Sequence, residues 1–344
     1  MKYPLKYKAA VLHKTGSLLS ITDVEFRGPL KIGQVLVKIF YTGICGKQIE
    51  EIQGKMGKDI FLPHCLGHEG VGQIVDLGPG VSKVRKQDFV VLHWMKGSGI
   101  EAELPELYWK NKKLNSGPIT TFSKFSIISE NRVTKISSNF DFKLASLLGC
   151  VATTGIGSVI NDANVKPYDR IAVVGIGALG LCTIFGAIVS RSREIVAFDT
   201  RKKALKRALD VGAHKSYNIN SNSNLFYNKF DKVFVTSATK KFIEYGYKII
   251  KNSGELILSG VPGPFEKISI NSLNVHRNRS LKGSFGGAII PERDIETYFN
   301  LHLNKVIDFN KIVIKTFKFD KINIPIKKMM QKKSEIGRYI IKIN

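Results

Sequence analysis

The sequence is poor in cysteine and in acid, and it has no long apolar run. Four cysteines are spread over 344 residues. All four lie in or near the candidate site and fingerprint regions described below and do not read as a disulfide framework, so a reducing cytoplasm fits. No stretch reaches the about 18 apolar residues of a membrane span. The opening residues, Met1-Lys2-Tyr3-Pro4-Leu5-Lys6, hold no apolar signal core, and secretion is not expected. Asp and Glu number 28 against 53 Lys and Arg, a formal net charge of +25. Such an excess points to an anionic partner (nucleic acid, a membrane surface, a phosphorylated or nucleotide-linked substrate) or to compositional drift. The lysines are dispersed, and the densest stretches, Arg201-Lys202-Lys203 and Lys327-Lys328 to Lys332-Lys333, sit in helical patterns. Dispersed charge makes no footprint, so drift is favoured and no specific nucleic-acid binding is expected. Repeats and low-complexity tracts are also missing. The length and the 43% hydrophobic content suffice for two globular domains.

What is present begins with two soft thiols and one imidazole. Cys45 lies in Thr42-Gly43-Ile44-Cys45-Gly46, His68 in Gly67-His68-Glu69-Gly70, and Cys150 in Leu148-Gly149-Cys150-Val151. Three ligands of this kind suit a catalytic Zn²⁺, which keeps its fourth position open, whereas a closed structural site would need a fourth protein ligand. Taken singly, each Cys reads as a small buried hydrophobe and His68 as a hydrogen-bonded turn residue.

Downstream, Arg170-Ile171-Ala172-Val173-Val174 has strand length and leads into Gly175-Ile176-Gly177-Ala178-Leu179-Gly180. A helical pattern follows from Leu181 to Ser190, then a second apolar run, Ile195-Val196-Ala197-Phe198, ending at Asp199. Strand, G-x-G-x-x-G, helix, strand and acid form the dinucleotide-binding fingerprint in its required context. Gly175 would allow the tight turn, Gly177 would admit the pyrophosphate and Gly180 would let helix and strand pack closely. The pyrophosphate would sit at the helix N-terminus, against Ala178 and Leu179. A carboxylate at Asp199 binds a ribose 2′-hydroxyl and repels a 2′-phosphate, which favours NAD(H) over NADP(H). Arg201, Lys202 and Lys203 follow closely and could soften that preference.

Residues up to about Val151 read as strands and turns, with alternation in Val35-Leu36-Val37-Lys38-Ile39 and Gly/Pro punctuation at Gly78-Pro79-Gly80. From Ala152 to Ser284 strands alternate with helices: Ile171–Val174, Ile195–Phe198, Val233–Val235 and Leu256–Leu258 are the strand runs. This is a doubly wound α/β pattern. Pro291 could open a helix through His302, and Pro325 another through Lys333.

The blocks Lys8-Ala9-Ala10-Val11, Gly33-Gln34-Val35-Leu36-Val37-Lys38-Ile39, Gly67-His68-Glu69-Gly70-Val71-Gly72, Gly78-Pro79-Gly80-Val81, Gly149-Cys150 and Thr154-Gly155 come in order. The cofactor fingerprint, Phe285-Gly286-Gly287 and Ile336-Gly337-Arg338 complete the series. Over nearly its full length the chain resembles a zinc-dependent alcohol/polyol dehydrogenase of the medium-chain dehydrogenase/reductase superfamily. The resemblance implies a GroES-like β-rich catalytic domain (1–151 and 285–344) and an inserted Rossmann domain (152–284), with the active site between them. It assigns one catalytic zinc per chain to Cys45, His68 and Cys150, with Glu69 as an outer-shell group or transient ligand. It sets Arg338 at the cofactor phosphates and Thr154 and Val261 near the nicotinamide. A dimer through residues around 268–283, or a tetramer built from it, is also implied.

The chain departs from the family pattern in four places. The family usually has Ser or Thr, the first member of a proton relay, where Lys47 stands here. Lys47 could replace the relay if burial lowered its pKa, anchor an anionic substrate, pair with Glu50 or Glu51, or turn outward. Gln48 replaces an Asp that orients the ligand His, and could still accept from an imidazole N–H without charge. The four closely spaced cysteines of a structural zinc are missing between Trp94 and Thr121, so no structural zinc is expected and that lobe must be held by packing or by a partner. The Asn/Ser-rich segment 216–231 is shorter than in relatives. Cys65 and Cys182 read as core residues, and His64 and His93 as structural histidines or unassigned polar groups.

The leading expectation is a zinc-dependent oxidoreductase transferring a hydride between NAD(H) and a secondary alcohol or polyol, or its carbonyl. A sugar, sugar phosphate or nucleotide sugar is included, since an anionic small molecule would use the basic surface. The alternatives are a zinc-free quinone or enoyl reductase of the same superfamily, and a non-catalytic NAD-binding protein.

Overall fold

The computed structural model describes residues 2–221 and 225–344. The chain divides into two compact units: residues 1–150, 290–299 and 313–344, and residues 151–289 and 300–312. Each is described by itself.

The first unit is built on two sheets. β1 (Leu5–Leu12), β2 (Ser20–Phe26), β4 (His64–Cys65), β7 (Leu107–Trp109) and β8 (Lys112–Leu114) form one, in the order β4-β1-β2-β7-β8. The other contains β3 (Gln34–Gly43), β5 (Glu69–Leu77), β6 (Phe89–His93), β9 (Phe125–Ser129), β10 (Val133–Ile136), β17 (Val313–Lys318) and β18 (Arg338–Lys342). Its order is β10-β6-β5-β3-β18-β17, with β9 also paired to β3. β3 is the spine of this sheet: β9 pairs Gln34–Lys38, β18 pairs Tyr41–Gly43, and β5 runs along the opposite edge. Its Val35, Val37 and Ile39 share one apolar core with Leu92, Phe122, Ile326 and Ile341. α1 (Gly46–Ile52) leaves the end of β3, and α2 (Phe142–Ala145) precedes a 3-10 turn, Ser146–Gly149. α9 (Asn323–Met330) includes Pro325 and starts two residues before it.

The second unit holds a six-stranded, wholly parallel sheet: β11 (Arg170–Val174), β12 (Glu194–Asp199), β13 (Lys215–Asn218), β14 (Phe230–Val235), β15 (Ile250–Leu258) and β16 (Ser280–Gly283). The order β13-β12-β11-β14-β15-β16 is the 3-2-1-4-5-6 arrangement of dinucleotide folds. The central strands carry continuous, buried apolar runs at Ile171–Val174, Ile195–Phe198 and Val233–Val235. α3 (Val151–Gly157), α4 (Ala178–Val189), α5 (Lys202–Val211), α6 (Lys240–Ile249) and α7 (Ser272–His276) complete the unit. Among the described residues no helix lies between Val211 and Lys240; residues 222–224 of the Asn/Ser-rich segment lie outside the described residues.

After β16 comes α8 (Pro291–Leu303). The sequence reading keeps all of 285–344 in the first domain, whereas 285–289 and 300–312 group here with the second unit. Packing explains the difference for the latter stretch. Phe309 is fully buried, with its ring centroid 6.1 Å from that of Phe185 on α4, and Lys311 Nζ donates to Asp210 O at 2.7 Å.

Candidate active site

Three separate turns of the first unit bring two thiols and an imidazole together. Cys45 follows β3 and is the N-cap of α1, where extended backbone (φ −87°, ψ 146°) turns into helix. His68 immediately precedes β5, and Cys150 follows the 3-10 turn with φ −155° and ψ −72°. One ligand atom from each lies within 4.8 Å of the others. Cys150 hydrogen-bonds the Cys45 sulfur and holds the Cys45 thiol well below its ordinary range, against the cost of burial and with help from Arg338 and His68. The same contact, with burial, pushes Cys150 up. Burial pulls His68 down, but the Cys45 charge overrides it, and the net direction is upward. Two sulfurs and one nitrogen, with no fourth protein donor in the cluster among the described residues, match the donor set of an open zinc site.

Glu69 lies behind this cluster rather than in it. It is fully buried, and its Oε1 is 3.0 Å from Arg338 Nε. Arg338 Nη1 also donates to Ile44 O at 2.9 Å. Arg338, expected at the cofactor phosphates, is thus buried in the first unit with its charge matched by Glu69. The fit is close: a Cβ on Gly43 would stand 2.0 Å from Glu69 Oε1.

In the second unit, Gly175 has φ +94°, a conformation for which glycine is the ordinary choice. Gly177 is the N-cap of α4 with no side-chain cap, and a Cβ there would meet nothing within 4 Å. The start of α4, at Ala178 and Leu179, thus has no side-chain cap and has open space beside Gly177, as a pyrophosphate seat requires. A Cβ on Gly180 would stand 2.3 Å from Gly175 O. Asp199 closes β12 with its carboxylate buried. Thr154, on α3, is buried, and its Oγ1 has no hydrogen-bond partner among the described residues. Val261 is exposed in the loop after β15.

Comparison with known proteins agrees with this geometry. The family model "Alcohol dehydrogenase GroES-like domain" matches residues 31–138, and "Zinc-binding dehydrogenase" matches residues 173–303. The chain belongs to the zinc-type alcohol dehydrogenases of the medium-chain superfamily. It is 29% identical to an S-(hydroxymethyl)glutathione dehydrogenase of Escherichia coli O6:H1, over 93% of this chain and 95% of that one. In fold it matches an alcohol dehydrogenase zinc-binding domain protein from Burkholderia ambifaria at a TM-score of 0.91 and 21% identity, covering 99% and 100% of the two chains. It matches the benzyl alcohol dehydrogenase of Acinetobacter calcoaceticus at 0.89 and 22%, with the same coverage.

Within this alcohol dehydrogenase fold, the departures from the family pattern have local explanations. Gln48, which could accept from an imidazole N–H, accepts the Cys45 N–H at 3.1 Å and forms a capping box with that residue. Lys47 Nζ lies 3.1 Å from Glu50 Oε2, one turn along α1. The lobe without cysteines is held by buried acid. Glu130 accepts from the N–H groups of Ser82 (3.0 Å), Lys83 (3.2 Å) and Ile100 (2.9 Å). Sequence reasoning missed Glu130; its only cue was an acid between two apolar strands. Cys65 and Cys182 are core residues, and burial pushes the Cys65 thiol up to about 12. His64 pairs with Asp59 at 2.8 Å, and His93 bonds Met95 O (2.7 Å) and Thr134 Oγ1 (3.0 Å).

Proposed function

We propose that this protein is a zinc-dependent dehydrogenase that transfers a hydride between NAD(H) and a secondary alcohol or polyol, or the matching carbonyl. The observation that carries the reading is the cluster of Cys45, His68 and Cys150, whose donor atoms meet within 4.8 Å in a chain of the zinc-type alcohol dehydrogenase family. Cys45 and Cys150 would hold the metal as thiolates and His68 through a ring nitrogen. When bound, the metal supplies Lewis acidity to the substrate oxygen, and the cofactor carries the hydride.

The protein's own contribution is positional. Arg338 neutralises Glu69 behind the two sulfurs, so the buried acid adds no uncompensated charge to the site. Gly177 and the first turn of α4 would seat the pyrophosphate. The Thr154 hydroxyl, buried without a partner, is free to bond a polar group of the nicotinamide end. Lys47, paired with Glu50, is more simply a local ion pair than a proton relay, and it stays within reach of an anionic substrate by the flexibility of its stem. Four free cysteines suit a cytoplasmic setting. A homodimer, or a tetramer built from it, is the proposed assembly.

Metal analysis of the purified, chelator-washed chain tests the core of this reading. About one zinc per chain, lost in Cys45→Ala or Cys150→Ala, is expected of an open three-ligand site; a chain that carries none would overturn it. Substrates are then screened with NAD by absorbance at the nicotinamide band. The panel holds polyols, sugars, sugar phosphates and, following the Escherichia coli relative's name, a hydroxymethyl adduct of glutathione.

A further inference from the structure

Asp199 stands where a dinucleotide fold keeps the acid that binds the ribose hydroxyls and turns away a 2′-phosphate. Here that carboxylate is already taken. Its Oδ2 accepts the Ile176 N–H at 2.7 Å, and its Oδ1 accepts the Arg201 N–H at 2.9 Å. The Arg201 guanidinium grips both oxygens, with Nε 3.0 Å from Oδ1 and Nη2 3.1 Å from Oδ2. Nη2 also donates to Ile176 O at 3.0 Å. The fork–fork pair fixes orientation as well as charge.

The acid side chain is 2% exposed and the arginine side chain 52%. What this end of β12 presents outward is therefore guanidinium, not carboxylate. A guanidinium has five N–H donors. Those on Nε and Nη2 serve Asp199 and Ile176, and the two on Nη1 have no partner among the described residues. Lys202 and Lys203, both exposed, follow at once in the first turn of α5, which carries no acid and no side-chain cap. One buried negative charge is thus paired with Arg201 and followed directly in the chain by two more cations.

We propose that Arg201 masks Asp199 and offers its Nη1 edge, with Lys202 beside it, to a ribose 2′-phosphate, so that the second unit takes NADP(H) at least as readily as NAD(H). The inference rests on the dinucleotide reading given above. It changes what that reading expects: an acid at the end of β12 excludes the phosphate only while its charge is open to the ligand. Arginine suits this seat because its planar fork can hold a carboxylate on one edge and a phosphate on another.

Binding to the full-length protein decides the matter without turnover. Calorimetric titration with 2′,5′-ADP and with 5′-AMP isolates the phosphate, and fluorescence titration with NADPH and NADH extends it to whole cofactors. We expect the 2′-phosphorylated member of each pair to bind as tightly as its partner or more tightly, with its advantage shrinking as salt rises. Arg201→Ala should move the ratio toward NADH by at least about tenfold, the effect of losing a charged hydrogen bond, and Arg201→Lys should restore part of it. NADH binding with NADPH weaker by about a hundredfold would overturn the proposal and leave the dinucleotide reading intact. If neither cofactor bound, both would fall. An unchanged ratio in Arg201→Ala, with folding verified by circular dichroism, would also overturn it.

Discussion

The positions that sequence motifs single out are held by residues the motifs do not mention. Cys45, His68 and Cys150 are recognisable because each lies in its own short block. Glu69 shares a block with His68, but its partner Arg338 is 269 residues away, and no local pattern links them. The pair is buried on both sides, so removing one member strands the other. Arg338→Met should cost about 3–5 kcal/mol in chemical denaturation, while Arg338→Met with Glu69→Gln should recover part of that loss. A single variant with wild-type stability would show that the pair does not bear on folding. The fingerprint glycines separate packing from binding in the same way. A Cβ on Gly180 would collide with Gly175 O, whereas one on Gly177 would meet nothing. Gly180→Ala should therefore lower stability by about 1–3 kcal/mol or more. Gly177→Ala should keep the wild-type melting temperature and lose cofactor affinity, since the methyl would fill the space of the pyrophosphate. Equal melting and equal binding in the two variants would count against the pyrophosphate seat.

Elements were legible in proportion to their burial. β11, β12 and β14 sit inside a parallel sheet and carry the buried apolar runs Ile171–Val174, Ile195–Phe198 and Val233–Val235, so they stand out in the sequence. The edge strands β13 (Lys-Ser-Tyr-Asn) and β16 (Ser-Leu-Lys-Gly) have no buried residue and carry no such run. Nothing in their composition separates them from loops. The lobe between Trp94 and Thr121 was expected to need packing in place of metal; the part played by Glu130 depends on backbone N–H groups from two loops, which no side-chain motif records. His93, at the end of β6, gives an element-scale test through pH. Burial lowers its pKa from 6.5 to about 4, against a raising bond to Met95. The unfolded chain therefore binds a proton that the folded chain refuses. This contribution to stability is whole above about pH 6.5, falls as pH drops toward 4, and changes no further below that. With metal state matched, the wild type minus His93→Gln difference in denaturation free energy should shrink across that window. Parallel curves would mean that His93 does not titrate there.

At the scale of the molecule, the net charge of +25 and the open edge of the parallel sheet bear on association. A chain so basic resists non-specific contact with its own copies, so a stable dimer needs a face where apolar and backbone terms outweigh repulsion. The second unit offers the candidate face for the proposed dimer. β16 ends the sheet with unpaired backbone groups along its outer side. Around it Ile268, Ile270, Leu273, Val275 and Leu281 are all exposed, by 36% to 50%. Two copies related by a two-fold axis would set β16 against β16 and cover these side chains in one isologous interface. This is the region where the family resemblance implies a dimer, and the edge strand and exposed apolar residues there are what the proposed dimer would use. Light scattering behind size exclusion should give about twice the chain mass at micromolar concentration. Leu273→Glu with Val275→Glu should give the monomer, with the circular dichroism of the helices and sheets unchanged. High salt should tighten the wild-type dimer, since screening removes repulsion faster than it weakens apolar burial. A wild-type chain that runs as a monomer at all concentrations would leave these apolar residues uncovered and would remove the dimer from the proposed assembly. A dimer untouched by the double substitution would move the interface elsewhere on the molecule.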